Sequence, residues 1–179
     1  MYSPQAPSLV RLVEDILRLS RLDDGAADMQ KVPTDLYALA EQTIRELSAA
    51  AELSGVALSL EGTSATISGI PQMLQSILFN LADNAIKYNH PGGSVTIRVE
   101  ELAKNVRLTV RDTGIGIPQE DQERIFERFY RVDKSHSKEV GGTGLGLSIV
   151  KHAAMIHSAE IHLDSTLGKG TAITVDFPK

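Results

Sequence analysis

Hydrophobic residues recur along the chain with two spacings, one typical of helices and one typical of strands. Near the start, Leu9, Leu12, Ile16 and Leu19 lie three or four positions apart, which predicts a helix that Asp23-Asp24-Gly25 ends. Because the apolar stripe is broad and approaches coiled-coil spacing, we expect this helix to pack on a partner. An ordinary amphipathic core helix is the alternative.

The remaining pattern predicts a sheet with helices beside it. After a linker at 26–33, Thr34 and Asp35 form a helix cap and first turn. Helices are predicted at 36–55, 71–88, 119–130 and 146–157, and strands at 56–60, around Ile67, at 95–99, 106–110, 161–163 and 173–177. Since strands and helices do not alternate strictly, the predicted fold is a two-layer α/β sandwich with helices on one face, preceded by a separate helix.

Composition narrows the class of protein. The 179 residues are 42% hydrophobic and 23% charged, with 18 basic against 23 acidic residues and a net charge of −5. This suits one globular domain with a short appendage and argues against a nucleic-acid partner. The chain has no cysteine, which excludes disulfides, thiolate zinc sites and cysteine nucleophiles.

Three polar side chains share one face of the predicted helix 71–88. Asn80, Asn84 and Lys87 are spaced i, i+4 and i+7, opposite the apolar stripe. Amide oxygens suit a hard cation such as Mg²⁺, and a lysine ammonium suits phosphate. A solvated polar face with an Asp83–Lys87 ion pair is the alternative.

A carboxylate and two glycines follow the strand 106–110, in the segment Asp112-Thr113-Gly114-Ile115-Gly116-Ile117-Pro118. Glycines let a flat ligand approach the backbone closely, and the carboxylate can accept a hydrogen bond from an exocyclic amine such as that of adenine. A tight glycine turn capped by Asp112 explains the segment equally well.

A second glycine-rich segment, Gly141-Gly142-Thr143-Gly144-Leu145-Gly146-Leu147, leads into a helix. Free N–H groups and the helix dipole there can hold an anion. The segment lacks the Lys-Ser/Thr of a Walker A loop and the third glycine of a Rossmann fingerprint. Between the two glycine segments, 125–133 contains Phe126 and Phe129, which we interpret as core aromatics on a short helix.

Together, the four segments resemble the ATP-binding domain of bacterial sensor histidine kinases. NLADNAIKY at 80–88 is similar to the N box, DTGIGIP at 112–118 to the first glycine box, IFERFYRVD at 125–133 to the F box, and GGTGLGLSIVK at 141–151 to the second glycine box. The resemblance implies two units: 1–30, the end of the second helix of a dimerisation hairpin plus linker, and 31–179, the catalytic ATP-binding domain. The pattern is nearest the phosphate-sensing type, with the fold of histidine-kinase and chaperone-type ATPases.

The resemblance also implies residue roles for ATP and Mg²⁺. Asn84, with Asn80 beside it, would coordinate Mg²⁺; Lys87 and Arg131 would contact phosphate; Tyr88 would pack near the base; and Asp112 would accept from the adenine amine, with room made by Gly114 and Gly116. Asn80, Lys87 and Arg131 are the residues expected to act in catalysis. Residues 131–144 would form a mobile lid in which Gly142, Gly144 and Gly146 fold onto the phosphates, and Ile117, Thr143, Leu145 and Leu147 would complete the nucleotide site.

One feature of the family is missing. The phosphoacceptor histidine lies in an H-[DE]-x-x-x-P type motif, and none of the five histidines here precedes Asp or Glu. The resemblance therefore implies a piece of a homodimeric receptor at the bacterial inner membrane, with this domain in the cytoplasm. Its partners would be its own hairpin and the receiver domain of a response regulator.

Two other classes remain open from the sequence. Chaperone- and gyrase-type ATPases share the fold but need a carboxylate near the position of Asn80 to activate water, and an amide cannot act as that base. A non-catalytic nucleotide sensor, or an anti-sigma-type kinase that phosphorylates serine on a partner, is the other hypothesis.

Overall fold

A computed structural model describes residues 9–10, 12–17, 29–132 and 145–179 of the chain. Residues 9–10 and 12–17 are helical (α1), as their periodicity predicts. Most apolar side chains of α1 are exposed, namely those of Leu9, Val10, Val13, Ile16 and Leu17, whereas Leu12 is half-buried against the core. The predicted end of this helix at 23–25 lies outside the described residues. No helix of the described part is long and apolar enough to cross a membrane.

The main body contains seven strands and three further helices within the described ranges. In chain order these are β1 (Val32–Asp35), α2 (Leu36–Leu53), β2 (Ala57–Gly62), β3 (Thr66–Gly69), α3 (Pro71–Lys87), β4 (Ser94–Glu101), β5 (Asn105–Asp112), a 3-10 turn (Gln119–Asp121), α4 (Gly146–Ile156), β6 (Glu160–Thr166) and β7 (Gly170–Pro178).

Five strands form a mixed sheet in the order β2-β4-β5-β7-β6, in which only the β2–β4 pair is parallel. Along β4, Val95, Ile97 and Val99 are buried, whereas Thr96 and Arg98 between them are not. Helix α3 contacts both α2 and α4, and all three helices contact the sheet from its buried side. The predicted two-layer α/β sandwich with helices on one face is therefore confirmed.

Two helices end in the same capping motif. After α2, Val56 N–H donates to Ala51 and Gly55 N–H donates to Glu52, with Gly55 at φ +67°. After α4, Ala159 and Ser158 donate to Ala154 and Met155 in the same pattern. Both are Schellman motifs, which require a left-handed residue after the helix. Glycine supplies it for α2, but for α4 it is Ser158, at φ +53°.

The residues before α2 form a strand that the sequence did not predict. The helix cap is Asp35, one residue after the predicted cap Thr34, and it accepts a hydrogen bond from Tyr37 N–H at 2.9 Å. Thr34, however, belongs to β1, which pairs antiparallel with β3. β1 has only four residues and contains Pro33, and such a segment forms a strand only where an edge offers pairing.

The helix predicted at 119–130 is wrong. Only Gln119–Asp121 forms a 3-10 turn, followed by further turns whose N–H groups bond three residues back, as from Arg124 to Asp121. Ile125 is the one apolar side chain of the segment that is buried, so the segment gains too little apolar burial to stabilise a short α-helix. Phe129 is 57% exposed with φ +64°, which overturns its assignment to the core.

His157 fastens α4 to the start of α3. Its imidazole is 4% exposed; Nε2 accepts from Ile70 N–H at 2.9 Å, and Nδ1 lies 2.7 Å from the Ala153 carbonyl. The ring meets Phe177 edge to face. Burial lowers the pKa of His157; the Ala153 hydrogen bond partly offsets this effect, and the charge of Lys31 adds a smaller lowering. The neutral imidazole is therefore a structural crosslink between two helices.

Candidate functional site

The polar face of α3 is partly built into the protein rather than solvated. Asn80 is only 8% exposed, and its Nδ2 donates to the Ser76 carbonyl at 2.8 Å. This hydrogen bond fixes the amide so that Oδ1 is turned away from Ser76. Asn84, one turn later, is half-buried. Two amides therefore stand in line on α3, with at least one oriented by its own helix.

Lys87 completes this face and is held in place by a carboxylate. Its Nζ lies 2.7 Å from Asp83 Oδ2, and the side chains of Lys87 and Asp83 are only 19% and 14% exposed. The predicted Asp83–Lys87 ion pair is thus present. It is short and sheltered, unlike the exposed pair Arg45–Glu41 on α2, whose atoms are 3.9 Å apart.

The first turn of α4 lies against Asn80. A Cβ added to Gly146 would sit 3.0 Å from Asn80 Oδ1, so a side chain at Gly146 would crowd the amide. Leu145, the cap residue, is fully buried and makes no side-chain cap. The first turn of α4, which has no side-chain cap, thus lies beside the amide face of α3, where its helix dipole favours an anion.

Asp112 is the last residue of β5, and its carboxylate is oriented by two backbone donors. Oδ1 accepts from Gly114 N–H at 2.8 Å and from Thr171 N–H at 3.2 Å. Because both donors converge on Oδ1, Oδ2 is the oxygen available to a ligand. Burial raises the pKa of Asp112, and the two N–H bonds only partly offset this effect.

The two glycines after Asp112 pack against the protein's own backbone. A Cβ at Gly114 would lie 2.3 Å from the Tyr88 carbonyl oxygen, and one at Gly116 would lie 2.2 Å from that of Thr166. The Tyr88 carbonyl also accepts from Ile115 N–H at 3.0 Å. The glycines therefore allow the loop to sit between the end of α3 and the β6–β7 hairpin; whether they also make room for a base stays a prediction.

Three residues that the sequence did not predict support this loop and Asp112, namely Ser165, Gln122 and Thr171. Ser165 Oγ accepts from Ile117 N–H at 2.9 Å and lies 2.7 Å from Thr171 Oγ1, while Gln122 donates to the carbonyls of Ile117 and Ser165. Thr171 directly follows the predicted Gly168-Lys169-Gly170 turn, and this position at the start of a strand was the sequence signal that could have identified it. Its pairing with Asp112 depends on sheet order, which one sequence does not show.

The remaining predicted residues fall into two groups. Arg131 is half-buried at the end of the turns after Gln119, and Leu147 is half-buried in the first turn of α4. Gly142, Thr143 and Gly144, with the rest of the predicted lid after position 132, lie outside the described residues.

Helix α3 joins the two parts of the site. Asn80 touches the start of α4, and Tyr88, at the other end, touches the Asp112 loop. Eight residues of α-helix span about 12 Å, a length suited to an elongated ligand with an anionic end and a planar end. The arrangement can bind a nucleoside polyphosphate with its phosphates at Asn80 and its base at Asp112.

Comparison with known proteins agrees with this geometry. Residues 69–179 match the family described as histidine kinase-, DNA gyrase B- and HSP90-like ATPase. The chain is 42% identical over 169 residues to the sensor protein kinase PmrB of Pseudomonas aeruginosa, which covers 94% of this chain and 35% of PmrB. It is 37% identical over 175 residues to the circadian input-output histidine kinase CikA of Synechococcus elongatus, covering 96% of this chain and 23% of CikA.

Solved structures share the fold. The mycobacterial sensor histidine kinase MprB superposes with a TM-score of 0.73 at 27% identity, over 83% of this chain and 97% of that one. Full-length ShkA in complex with AMPPNP gives a TM-score of 0.80 at 29% identity, over 95% of this chain and 35% of that one. The chain thus spans only about a quarter to a third of the curated relatives named above. It belongs to the histidine kinase-, DNA gyrase B- and HSP90-like ATPases, and it carries the ATP-binding catalytic domain of the sensor histidine kinases.

Proposed function

We propose that this chain binds Mg²⁺·ATP and transfers the γ-phosphoryl group to a histidine on a dimerisation hairpin. One observation carries the proposal: α3 connects a helix N-terminus beside Asn80 to an oriented carboxylate beside Tyr88, with Asn84 and Lys87 on the stretch between them. ShkA, a structural relative, is described in complex with AMPPNP, a non-hydrolysable ATP analogue, which supports ATP as the ligand.

Asp112 recognises the adenine base of ATP. Oδ2 of the ionised carboxylate accepts from the exocyclic amine of adenine, whereas guanine presents an oxygen there and would be repelled. Tyr88 and Ile117 would flank this position, and Gly114 and Gly116 let the loop lie close to the Tyr88 carbonyl and to the β6–β7 hairpin. The site therefore selects ATP over GTP.

The phosphates lie where α3 meets α4. Lys87, Arg131 and the helix start at Leu145, Gly146 and Leu147 neutralise their charge. Gly142, Thr143 and Gly144, which lie outside the described residues, are predicted to belong to the same phosphate site. Phosphoryl transfer depends mainly on such positioning and charge neutralisation, without a covalent protein group.

The donor set of the site fits Mg²⁺. Amide oxygens of Asn84 and Asn80 are hard ligands, and the described residues contain no group of three His, Cys, Asp or Glu side chains that could hold a metal alone. Mg²⁺ ordinarily takes few protein ligands and is held together with substrate phosphates. When bound, the ion would neutralise phosphate charge, while Asn80, held by Ser76, keeps its amide oxygen directed into the site.

The acceptor and the partners lie beyond this domain. We propose that residues 1–30 end a dimerisation hairpin and that 31–179 form the catalytic unit, since the exposed apolar residues of α1 suit a helical partner. The parent protein would be a homodimeric, membrane-anchored receptor that passes the phosphoryl group to a response regulator.

ATP hydrolysis is the second candidate function, but the site favours it less. Asn80, the residue at the position where an ATPase needs a base, is an amide bonded to Ser76, and it cannot deprotonate water. The chain is therefore expected to bind ATP without turning it over at a useful rate.

Mixing experiments test the proposal. The chain, γ-labelled ATP and Mg²⁺ are incubated with a dimerisation hairpin of the parent protein that carries its histidine. Acid-labile, base-stable label is expected on the hairpin and none on this chain, because a neutral imidazole is nucleophilic without a strong base. Asn84→Ala abolishes labelling, and Ser68→Ala, on the small β1–β3 sheet, serves as the matched control. Rapid ATP hydrolysis by the chain alone would favour an ATPase, and label on serine an anti-sigma-type kinase.

A further inference from the structure

The ion pair between Asp83 and Lys87 differs from an ordinary helix-surface pair. Its atoms are 2.7 Å apart and both side chains are largely sheltered, whereas Glu41 and Arg45, at the same i, i+4 spacing on α2, are 3.9 Å apart and at least half exposed. Exposed pairs of this kind contribute little to stability. The short, sheltered geometry at Asp83 is that of a charge-assisted hydrogen bond, which restricts the donor's position.

Asp83 is also an unexpected residue at an anion site. A carboxylate one residue before Asn84 repels phosphates and partly cancels the charge of Lys87, so it weakens ground-state attraction for a nucleotide. A carboxylate there is useful only if it contributes something other than affinity. Holding a long, flexible ammonium in one orientation is such a contribution, because lysine loses much rotamer entropy when it is ordered.

We infer that Asp83 is a positioning residue that holds the Lys87 ammonium toward the transferring phosphoryl group, and this inference rests on the proposed function. An ammonium has three N–H donors; one donates to Asp83 Oδ2, and two remain for phosphate oxygens. Asn80 is oriented in the same way, by the Ser76 carbonyl one turn before it. Two polar groups that the proposed function assigns to the phosphates, those of Lys87 and Asn80, are thus held by α3 before a nucleotide binds, which lowers the ordering that the reaction requires.

The inference predicts a split between binding and transfer. In Asp83→Asn, Lys87 keeps its charge but loses its fixed orientation. ATP affinity is expected to stay equal or to rise up to about threefold, because a repelling carboxylate is gone. The rate of transfer to the hairpin histidine at saturating ATP is expected to fall about tenfold, the size of effect that ordering one lysine side chain can produce.

The test measures the ATP dissociation constant by calorimetry, the single-turnover transfer rate and the melting temperature for the wild type and three variants. Asp83→Glu should recover most of the rate, because glutamate also reaches a lysine four residues later. Glu41→Gln, which removes the exposed pair on α2, should change neither quantity.

Three results would overturn the inference. An unchanged transfer rate in Asp83→Asn would show that the pair has no positioning role. Loss of ATP affinity, rate and melting temperature together would show a purely structural role. ATP hydrolysis by the wild type that Asp83→Asn abolishes would make Asp83 a base for water. A wild-type chain that fails to bind ATP would contradict the proposed function itself. If the wild type transfers the phosphoryl group normally, either of the first two results contradicts only the inference about Asp83.

Discussion

Thr171 and Asp112 lie opposite each other on the neighbouring strands β7 and β5, and the Thr171 N–H donates to Asp112 Oδ1 at 3.2 Å. The sheet thereby orients the carboxylate that the proposed function assigns to adenine. A strand that follows Asp112 by 59 positions in the chain occupies Oδ1 and thereby leaves Oδ2 as the oxygen that the proposed function assigns to the ligand. Replacing Asp112 with asparagine removes the charge but keeps the shape of the side chain. This substitution separates the effect of the charge on ATP binding from its effect on the stability of the fold.

Asp112→Asn is expected to weaken ATP binding about 10–150-fold, because a hydrogen bond to a charged group is worth roughly 1.5–3 kcal/mol. The preference over GTP should disappear with it. Asn can still accept through Oδ1 from Gly114 and Thr171, so the loop stays in place. Calorimetry with ATP and GTP on both proteins gives the comparison, and equal ATP and GTP affinity in the wild type would contradict the assignment.

The same variant is expected to melt at the same temperature as the wild type or slightly higher. Burial raises the pKa of Asp112 in the folded chain. Ionisation of this carboxyl group is therefore less favourable in the folded chain than in the unfolded chain, and at neutral pH it lowers the free energy of unfolding. The contribution of Asp112 to the free energy of unfolding is greatest at low pH and is lost as the pH rises through its raised folded-state pKa. Thermal melts of the nucleotide-free proteins at neutral pH check this, and a large loss of stability in Asp112→Asn would argue for a structural role instead.

His157 makes the stability of the fold dependent on pH. Its pKa is lowered by burial from 6.5, so below about pH 6.5 the unfolded chain binds a proton that the folded chain does not. The free energy of unfolding therefore falls with decreasing pH, by up to about 1.4 kcal/mol per pH unit for one group. His157→Gln keeps an acceptor near Ile70 and should flatten this dependence, although it lowers stability at pH 8.

Urea denaturation at pH 5, 6, 7 and 8 measures this effect. His162→Gln is the matched control, because that imidazole is 59% exposed and does not join the two helices. A wild-type stability that is constant from pH 8 to pH 5 would contradict the role given to His157.

Gly116→Ala is expected to destabilise the fold and to weaken ATP binding at least tenfold. Its φ of +72° strains any L-residue by about 1–2 kcal/mol, and a Cβ would lie 2.2 Å from the Thr166 carbonyl oxygen. The loop must therefore move away from the hairpin and take Asp112 with it. Calorimetry and thermal melts measure the two effects.

Gly168→Ala is the control for this prediction. Gly168 has a similar φ of +82°, but nothing lies within 4 Å of an added Cβ. It should lower stability by the backbone strain alone and leave ATP affinity unchanged. Equal loss of affinity in the two variants would mean that strain, and not the contact with Thr166, explains the effect.

Ser158→Gly is expected to stabilise the protein. Ser158 occupies the left-handed position of the Schellman motif after α4, at φ +53°, where glycine avoids about 1–2 kcal/mol of steric strain and gives back about 0.5–1 kcal/mol in unfolded-state entropy. A gain of roughly 0.5–1 kcal/mol, or about 1–4 °C in melting temperature, should result. Ser158→Ala keeps the strain and should give no gain; an equal gain in both would point to the hydroxyl group instead.

Local patterns determined most of the elements by themselves. The alternation in β4 and β5, the cap at Asp35, Pro71 at the start of α3 and Gly55 after α2 each act within a few residues, through side-chain periodicity and backbone conformation. The polar face of Asn80, Asn84 and Lys87 was visible for the same reason, since helical spacing places residues i, i+4 and i+7 together.

Tertiary structure decided what depended on distant partners. β1 exists because β3 offers it an edge, and the segment 119–130 fails to form a helix because only Ile125 finds a place in the core. Asp112 owes its orientation to Thr171, and Asn80 its burial to α4. Such relationships join residues far apart in the chain, and no local spacing encodes them, because their energies arise only when the sheet and helices have assembled.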